Sequence, residues 1–227
     1  MAYLLPFILL FGFLSAGARH GDDVIVVPLV LLVFCLCGLV PFVREEKTMR
    51  CMTLGFLYVV GLIAFAERVR FRTIAFSDSY GVHIFGVPLV LLVIFVTLVC
   101  AATIIASRRI THPFLTVLAS AMLATICALV IEPAAFGFGL TAYFGNGMYY
   151  GVPISMLFSW FVAACVGAIV TRIMLGKALS TLPLSTVWGA LLLIAYFTGI
   201  AVGFGMWGPA ILGLLVIQLG FRAIHFS

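Results

Sequence analysis

Charged side chains are nearly missing from this chain: they make up 8% of its 227 residues, and only seven residues are acidic. Soluble domains carry about 25% charge, so this scarcity, together with a mean hydropathy of +1.34, excludes a soluble globule. Six cysteines are present without a CxxC pair, and Cys35-x-Cys37 would point two thiols to different sides of a helix. They read as small apolar packing residues, not as a redox pair or thiolate site. His20, His83, His112 and His225 are scattered, with no HExxH and no helical pairing that would suit a metal or haem. There is no Walker loop, no GxSxG and no GxGxxG following a strand, which removes nucleotide chemistry. No basic stripe interleaved with aromatics exists, so the net charge of +5 speaks for membrane topology and anionic lipid and against nucleic acid. The residue alternation of a transmembrane barrel is also missing, which leaves helices as the structures whose backbone can satisfy itself in hydrocarbon.

What remains is a set of long apolar runs. They predict an all-α, polytopic transmembrane helix bundle of seven to eight spans, at about 2–18, 24–43, 51–67, 82–106, 113–132, 152–173, 184–203 and 206–222, forming one membrane domain over 1–227. Ala16-Gly17-Ala18 resembles a cleavage site, but no basic segment precedes it, and the first run reads as a helix. The break at 203–208 is short, and Pro209 leaves room for a broken last helix. With eight spans, one side carries Arg44, Lys47, Arg50, Arg108, Arg109, Arg172, Lys177 and Arg222, and the other Arg19, Arg68, Arg70 and Arg72. That bias puts both termini in the cytoplasm and Glu67, Asp78 and Glu132 toward the outer half.

One pattern recurs along the chain. Glu67 and Gly86-Val87-Pro88 lie 65 residues before Glu132 and Gly151-Val152-Pro153, and Phe85, Phe95 and Cys100 are matched at the same offset by Tyr150, Trp160 and Cys165. This predicts a parallel internal repeat, about 55–107 and 120–172, with the two carboxylates facing each other across an axis along the membrane normal. Each copy is then a helix ending near Glu, a loop, and a helix opening with Gly-Val-Pro. Proline suits a first helical turn because its missing N–H has no partner there, and glycine permits a tight approach.

An acid placed in hydrocarbon costs roughly 2.5–3.5 kcal/mol on insertion scales, so an intramembrane carboxylate is read as functional. Glu132, followed by Pro133 and set between ALVI and AAFGFGL, is the best single candidate. Glu67 precedes Arg68 and Arg70, so a plain interfacial ion pair competes with a catalytic role; Asp78 competes with a helix N-cap. Two acids sharing a site divide into one proton donor and one acceptor, the pairing general acid/base chemistry needs.

The run from Glu67 through Phe76-Ser-Asp78-Ser-Tyr80-Gly81 to Gly86-Val-Pro88, then Glu132-Pro133, then Tyr149-Tyr150-Gly151-Val-Pro153 and Trp160, resembles the bacterial and archaeal carotenoid biosynthesis membrane proteins. That family includes the carotenoid 1′,2′-hydratases, among them γ-carotene 1′-hydroxylase and bisanhydrobacterioruberin hydratase. The resemblance covers about 55–175; Phe95 and Met156 stand where the family pattern has Trp and Asn, and Glu132 where it usually has Asp. It implies a prokaryotic cytoplasmic membrane, a hydrophobic polyene substrate, and cofactor-free addition of water to the terminal C1–C2 double bond of an acyclic carotenoid end. On that expectation Glu67 and Glu132 are the acid/base pair, assisted by Asp78. Phe136, Tyr143, Tyr149, Tyr150, Trp160 and His83 line the substrate slot, where aromatic faces stabilise positive charge. Gly86, Pro88, Gly151 and Pro153 shape the turns, and other carotenoid-pathway enzymes are the expected protein partners. Midplane carboxylates in a parallel repeat equally describe a proton-coupled lipid or small-molecule carrier, and a non-catalytic scaffold for carotenoid enzymes is a third reading. Unlike surroundings of the two copies, such as Asp78 against Tyr143 and His83 against Met148, favour an enzyme over a carrier.

Overall fold

The computed structural model describes residues 8, 10, 12, 14–15, 30–35, 39, 47–78, 82–145, 147–176, 179, 182 and 184–225. The two N-terminal spans expected at 2–18 and 24–43 lie mostly outside them, as do Arg19, Arg44, Lys177 and Tyr80. The named elements are α1 (Lys47–Arg70), β1 (Ile74–Phe76), β2 (His83–Ile84), β3 (Val87–Pro88), α2 (Leu89–Arg109), α3 (Pro113–Phe138), β4 (Thr141–Tyr143), α4 (Ile154–Leu175), α5 (Ser185–Gly203) and α6 (Trp207–His225). All six helices are long and apolar enough to cross a membrane, including the two on either side of the 203–208 break.

α2 and α5 are buried along most of their length and form the middle of the bundle. α1, α3, α4 and α6 surround them and turn apolar side chains such as Phe56, Ile63, Phe158, Ile173 and Leu214 outward, as lipid contact requires. Apolar burial cannot drive helices together within lipid, so close approach at small residues does. A Cβ on Gly61 would lie 2.8 Å from the Phe95 ring, and one on Gly213 would lie 2.0 Å from Thr198 Oγ1. Several threonine hydroxyls within the helices are satisfied locally: Thr97, Thr103, Thr125, Thr171 and Thr198 each donate to the carbonyl four residues back. That answers the demand of a water-free interior without a partner helix.

The loops at one end are where the sequence expectation needs correction. α3 does not stop at Glu132; it runs through Pro133 to Phe138. Pro133 removes the N–H that would serve the carbonyl of residue 129, a loss the helix tolerates within packed neighbours. α3 instead ends on Gly139, in the left-handed conformation at φ 80°, with its N–H on the Phe136 carbonyl and that of Leu140 on the Ala135 carbonyl. α1 ends the same way on Arg72 at φ 51°, with the N–H of Arg72 on Val69 and that of Thr73 on Arg68. Both are the paired-bond helix stop that a left-handed residue allows. Just beyond, β1 and β4 pair antiparallel, Ile74 opposite Tyr143 and Phe76 opposite Thr141.

The Gly-Val-Pro segments also behave differently from the simple helix start expected. Phe85-Gly86, at φ 52° and 79°, closes a two-residue hairpin in which Ile84 pairs Val87. Tyr150-Gly151, at φ 48° and 85°, does the same beneath a Tyr149–Val152 bridge. Positive φ at both central residues is the turn whose twist suits paired strands, and it is why glycine stands second. Pro88 and Pro153 follow as N-caps in extended conformation, one residue ahead of α2 and α4. The expected start of the fourth span at 82 therefore falls in the hairpin, and the helix begins at Leu89.

Candidate active site

Glu132 sits inside α3 with 2% of its surface exposed. Trp160, reaching across from α4, donates its indole Nε1–H to Oε1 at 2.5 Å. Tyr143, held in β4 by its pairing with Ile74, places its hydroxyl on Oε2. An indole nitrogen only donates, so Oε1 must accept; a phenol donates or accepts, so the Tyr143 contact suits either form of the carboxyl. Neither partner carries a charge. The arrangement is a buried acid whose two oxygens are each held by a fixed neutral group.

Aromatic rings close the deep side. Phe65 of α1 meets Trp160 at 5.3 Å, Phe95 of α2 meets it at 5.6 Å, and the two phenyl rings stand edge to face at 6.0 Å. Phe65, Phe95 and Trp160 are all almost fully buried. On the shallow side Phe136, one helical turn beyond Glu132, packs its ring 5.9 Å from that of Tyr143. Edge-to-face and tilted contacts of this kind add to the area they bury and fix ring orientation.

The structure does not bring Glu67 to this cluster. Phe65, two residues earlier, points inward, and Glu67 points away with about half its side chain exposed. Its carboxylate lies 3.8 Å from Arg70. It lines a membrane-facing groove of about 450 Å³ between α1 and α4 with Val60, Ile63, Phe158 and Val162. Beside it, Arg68 donates to the Ser155 carbonyl at 2.9 Å and to the Ser159 hydroxyl, tying α1 to the first two turns of α4. Asp78 and His83 line a separate open cavity with Arg72, Phe76 and Phe144. Asp78 stands eleven residues ahead of α2 and does not cap it.

Tyr149 and Tyr150 meet edge to face at 5.1 Å in the second hairpin turn, outside the spans. Burial pushes the Tyr149 hydroxyl up, with Tyr150 beside it adding to the shift, so the Tyr149 ring stays neutral near pH 7. Tyr150 accepts a hydrogen bond at 3.1 Å from the N–H of Gly208, which anchors this turn to the first turn of α6. Of the expected site residues, then, Glu132, Tyr143, Trp160 and Phe136 are assembled in one place. Glu67, Asp78, His83, Tyr149 and Tyr150 occupy others.

Sequence reasoning did not name Phe65, Phe95, Ser155 or Ser159 as site residues. Phe95 carried a signal, because it matches Trp160 at the 65-residue offset; Phe65 carried none at that offset.

Among protein-family models, one described as carotenoid biosynthesis protein matches residues 23–219. Comparisons with curated proteins and with solved structures return no significant match.

Proposed function

Since this chain belongs to the carotenoid biosynthesis protein family, we propose that it is a membrane enzyme adding water to the terminal C1–C2 double bond of an acyclic carotenoid end, with Glu132 as the reacting acid. The observation that carries this reading is the buried carboxyl held by Tyr143 and Trp160 inside a box of rings. In the acid form, Glu132 gives its proton to C2, and the π electrons of the double bond form the new C–H bond. The positive charge then rests on C1, a tertiary centre that the faces of nearby aromatic rings stabilise. Water attacks C1 and its proton returns to Glu132, so the product gains one H and one OH and the carboxyl is regenerated. Trp160 and Tyr143 stabilise the transient carboxylate, since hydrogen bonds to a charged acceptor are stronger than those to a neutral one. No redox change is involved, and the chemistry is carried by one carboxyl used twice. Glu67 and Asp78 take no part in bond making on this reading.

The same reading includes a parallel repeat with a shifted register. The two hairpin turns are 65 residues apart, whereas the two helix stops, Arg72 and Gly139, are 67 apart, as are β1 and β4. The β1–β4 pairing maps onto itself at that spacing, with Ala75 opposite Ala142 at its centre. The packing of α1 on α4 and of α2 on α3 is the reciprocal arrangement a two-fold gives. At 67 residues Glu132 corresponds to Phe65 and Tyr143 to Phe76, and at 65 Trp160 corresponds to Phe95. We read the first half as an all-phenylalanine counterpart of the acid, phenol and indole of the second. The paired feature is therefore the scaffold, and the acid is single.

The test is product formation in a host that makes lycopene or γ-carotene. Wild-type protein is expected to give hydroxylated carotenoid by chromatography, and Glu132→Gln none, although Gln keeps a carbonyl for Trp160. Undiminished product from Glu132→Gln would remove the mechanism.

A further inference from the structure

Glu132 is closed off on every described side, so an apolar substrate reaches it only if part of its wall moves. The deep wall is poorly suited to that. Trp160 is fixed by its hydrogen bond and by contacts to Phe65 and Phe95, and all three are almost fully buried. Tyr143 is fixed by its bond to Glu132 and by strand pairing. Phe136 differs from these: it has no polar atom to anchor it, and 37% of its surface is exposed. Its ring lies between the Tyr143 ring and the backbone of Gly151, where a Cβ would stand only 2.2 Å from Cε1. The turn beneath the ring is itself held, through Tyr150, to the N–H of Gly208. The ring therefore rests on a fixed, flat glycine platform that it can leave without breaking a hydrogen bond.

We propose that Phe136 is the gate of the Glu132 site, and that a hydrophobic chain end reaches the carboxyl by displacing this ring from Gly151. The proposal deepens the functional reading above and rests on it for its purpose, but its test needs no turnover. Rotation of one exposed aromatic side chain is fast and costs little compared with opening a packed core, so the gate admits substrate while keeping the resting acid covered.

The experiment is labelling of the full-length protein in detergent micelles with dicyclohexylcarbodiimide, an apolar reagent that modifies carboxylic acids, followed by peptide mapping by mass spectrometry. Glu67, exposed in its groove, serves as the reference in the same sample. Phe136→Ala is expected to speed labelling of Glu132 by about tenfold or more with Glu67 unchanged, the size of effect a removed gating step gives. Phe136→Trp is expected to slow it, and Phe136→Leu to fall between wild type and Ala should the alanine variant fold poorly. An unchanged Glu132 rate in both smaller variants overturns the gate, as does a rise shared equally by Glu67, which would mean general loosening. Loss of the hydration reading through Glu132→Gln leaves these labelling rates untouched, so the two failures are distinguishable.

Discussion

Replacing Trp160 with Phe isolates the hydrogen bond that orients Glu132. Phenylalanine keeps an aromatic ring against Phe65 and Phe95 but removes the Nε1–H that reaches Oε1 at 2.5 Å. With Glu132 only 2% exposed, water does not replace that donor. A buried acceptor left without its partner costs about 1–3 kcal/mol, which is a factor of roughly 5 to 150 in the folded population. Lost indole volume adds to this, so the single variant alone overstates the bond. The clean measurement is a cycle of Trp160→Phe, Glu132→Met and the double variant. Each single change orphans the other partner, whereas the double change removes both, so the double should cost less than the sum by about 1–3 kcal/mol.

The assay is equilibrium unfolding in mixed micelles with added dodecyl sulfate, followed by far-ultraviolet circular dichroism because tryptophan emission changes with the substitution. Costs that add to within about 0.3–0.5 kcal/mol would refute the reasoning, since that is the behaviour of sites that do not interact. Such a result would mean that Trp160 fills space near Glu132 without holding it.

Two further outcomes follow from where the other charges lie. Glu67→Gln should leave carotenoid product within about twofold of wild type, because Glu67 is half-exposed and contacts Arg70 rather than the acid cluster; a loss like that of Glu132→Gln would restore the paired-acid mechanism. Arg68→Ala should lower stability in the same unfolding assay by about 1–2 kcal/mol through loss of its bonds to Ser155 and Ser159, with Arg68→Lys only partly restoring it, since an ammonium cannot reproduce the guanidinium's fixed fork. Equal stability of wild type and Arg68→Ala would show that this tie between α1 and α4 contributes nothing.

Much of the bundle was legible because hydrophobic length is the main signal in lipid: the six described helices fall on six of the expected runs, with boundaries off by a few residues. The misplaced boundaries have local causes. Val82 to Pro88 are apolar enough to extend a helical run, yet Phe85-Gly86 adopts positive φ and folds into a hairpin. Pro133 reads as a helix stop, yet tertiary packing carries α3 past it to Gly139. Glu132 stood out as an acid without a basic neighbour, and Trp160 and Tyr143 as aromatics near the second turn, but their convergence depends on strand pairing between β1 and β4. Three-residue strands in a membrane protein leave little periodicity to read.

The repeat register proposed above bears on why the two glutamates coincide in the sequence. Gly-Val-Pro fixes an offset of 65, and at that offset the two glutamates coincide; the helix stops and strands follow 67, and there Glu132 falls on Phe65. The difference is two extra residues in the first half, between β1 and its hairpin turn, a length change that no match of short motifs detects. The asymmetry has a physical reason. Phe65 lies 5.3 Å from Trp160, so an acid at position 65 would place two carboxyls around one indole. Trp160 has one N–H to give, and Phe76 and Phe95 offer none, so one carboxyl of such a pair would stay buried and short of donors. A buried acid without donors costs several times what a satisfied one does, whereas a phenyl ring in that place costs nothing and packs against the indole. With Phe at 76 and 95, two-fold packing and a donor-satisfied acid are therefore reconciled in the proposed repeat by one half carrying the acid and the other carrying rings.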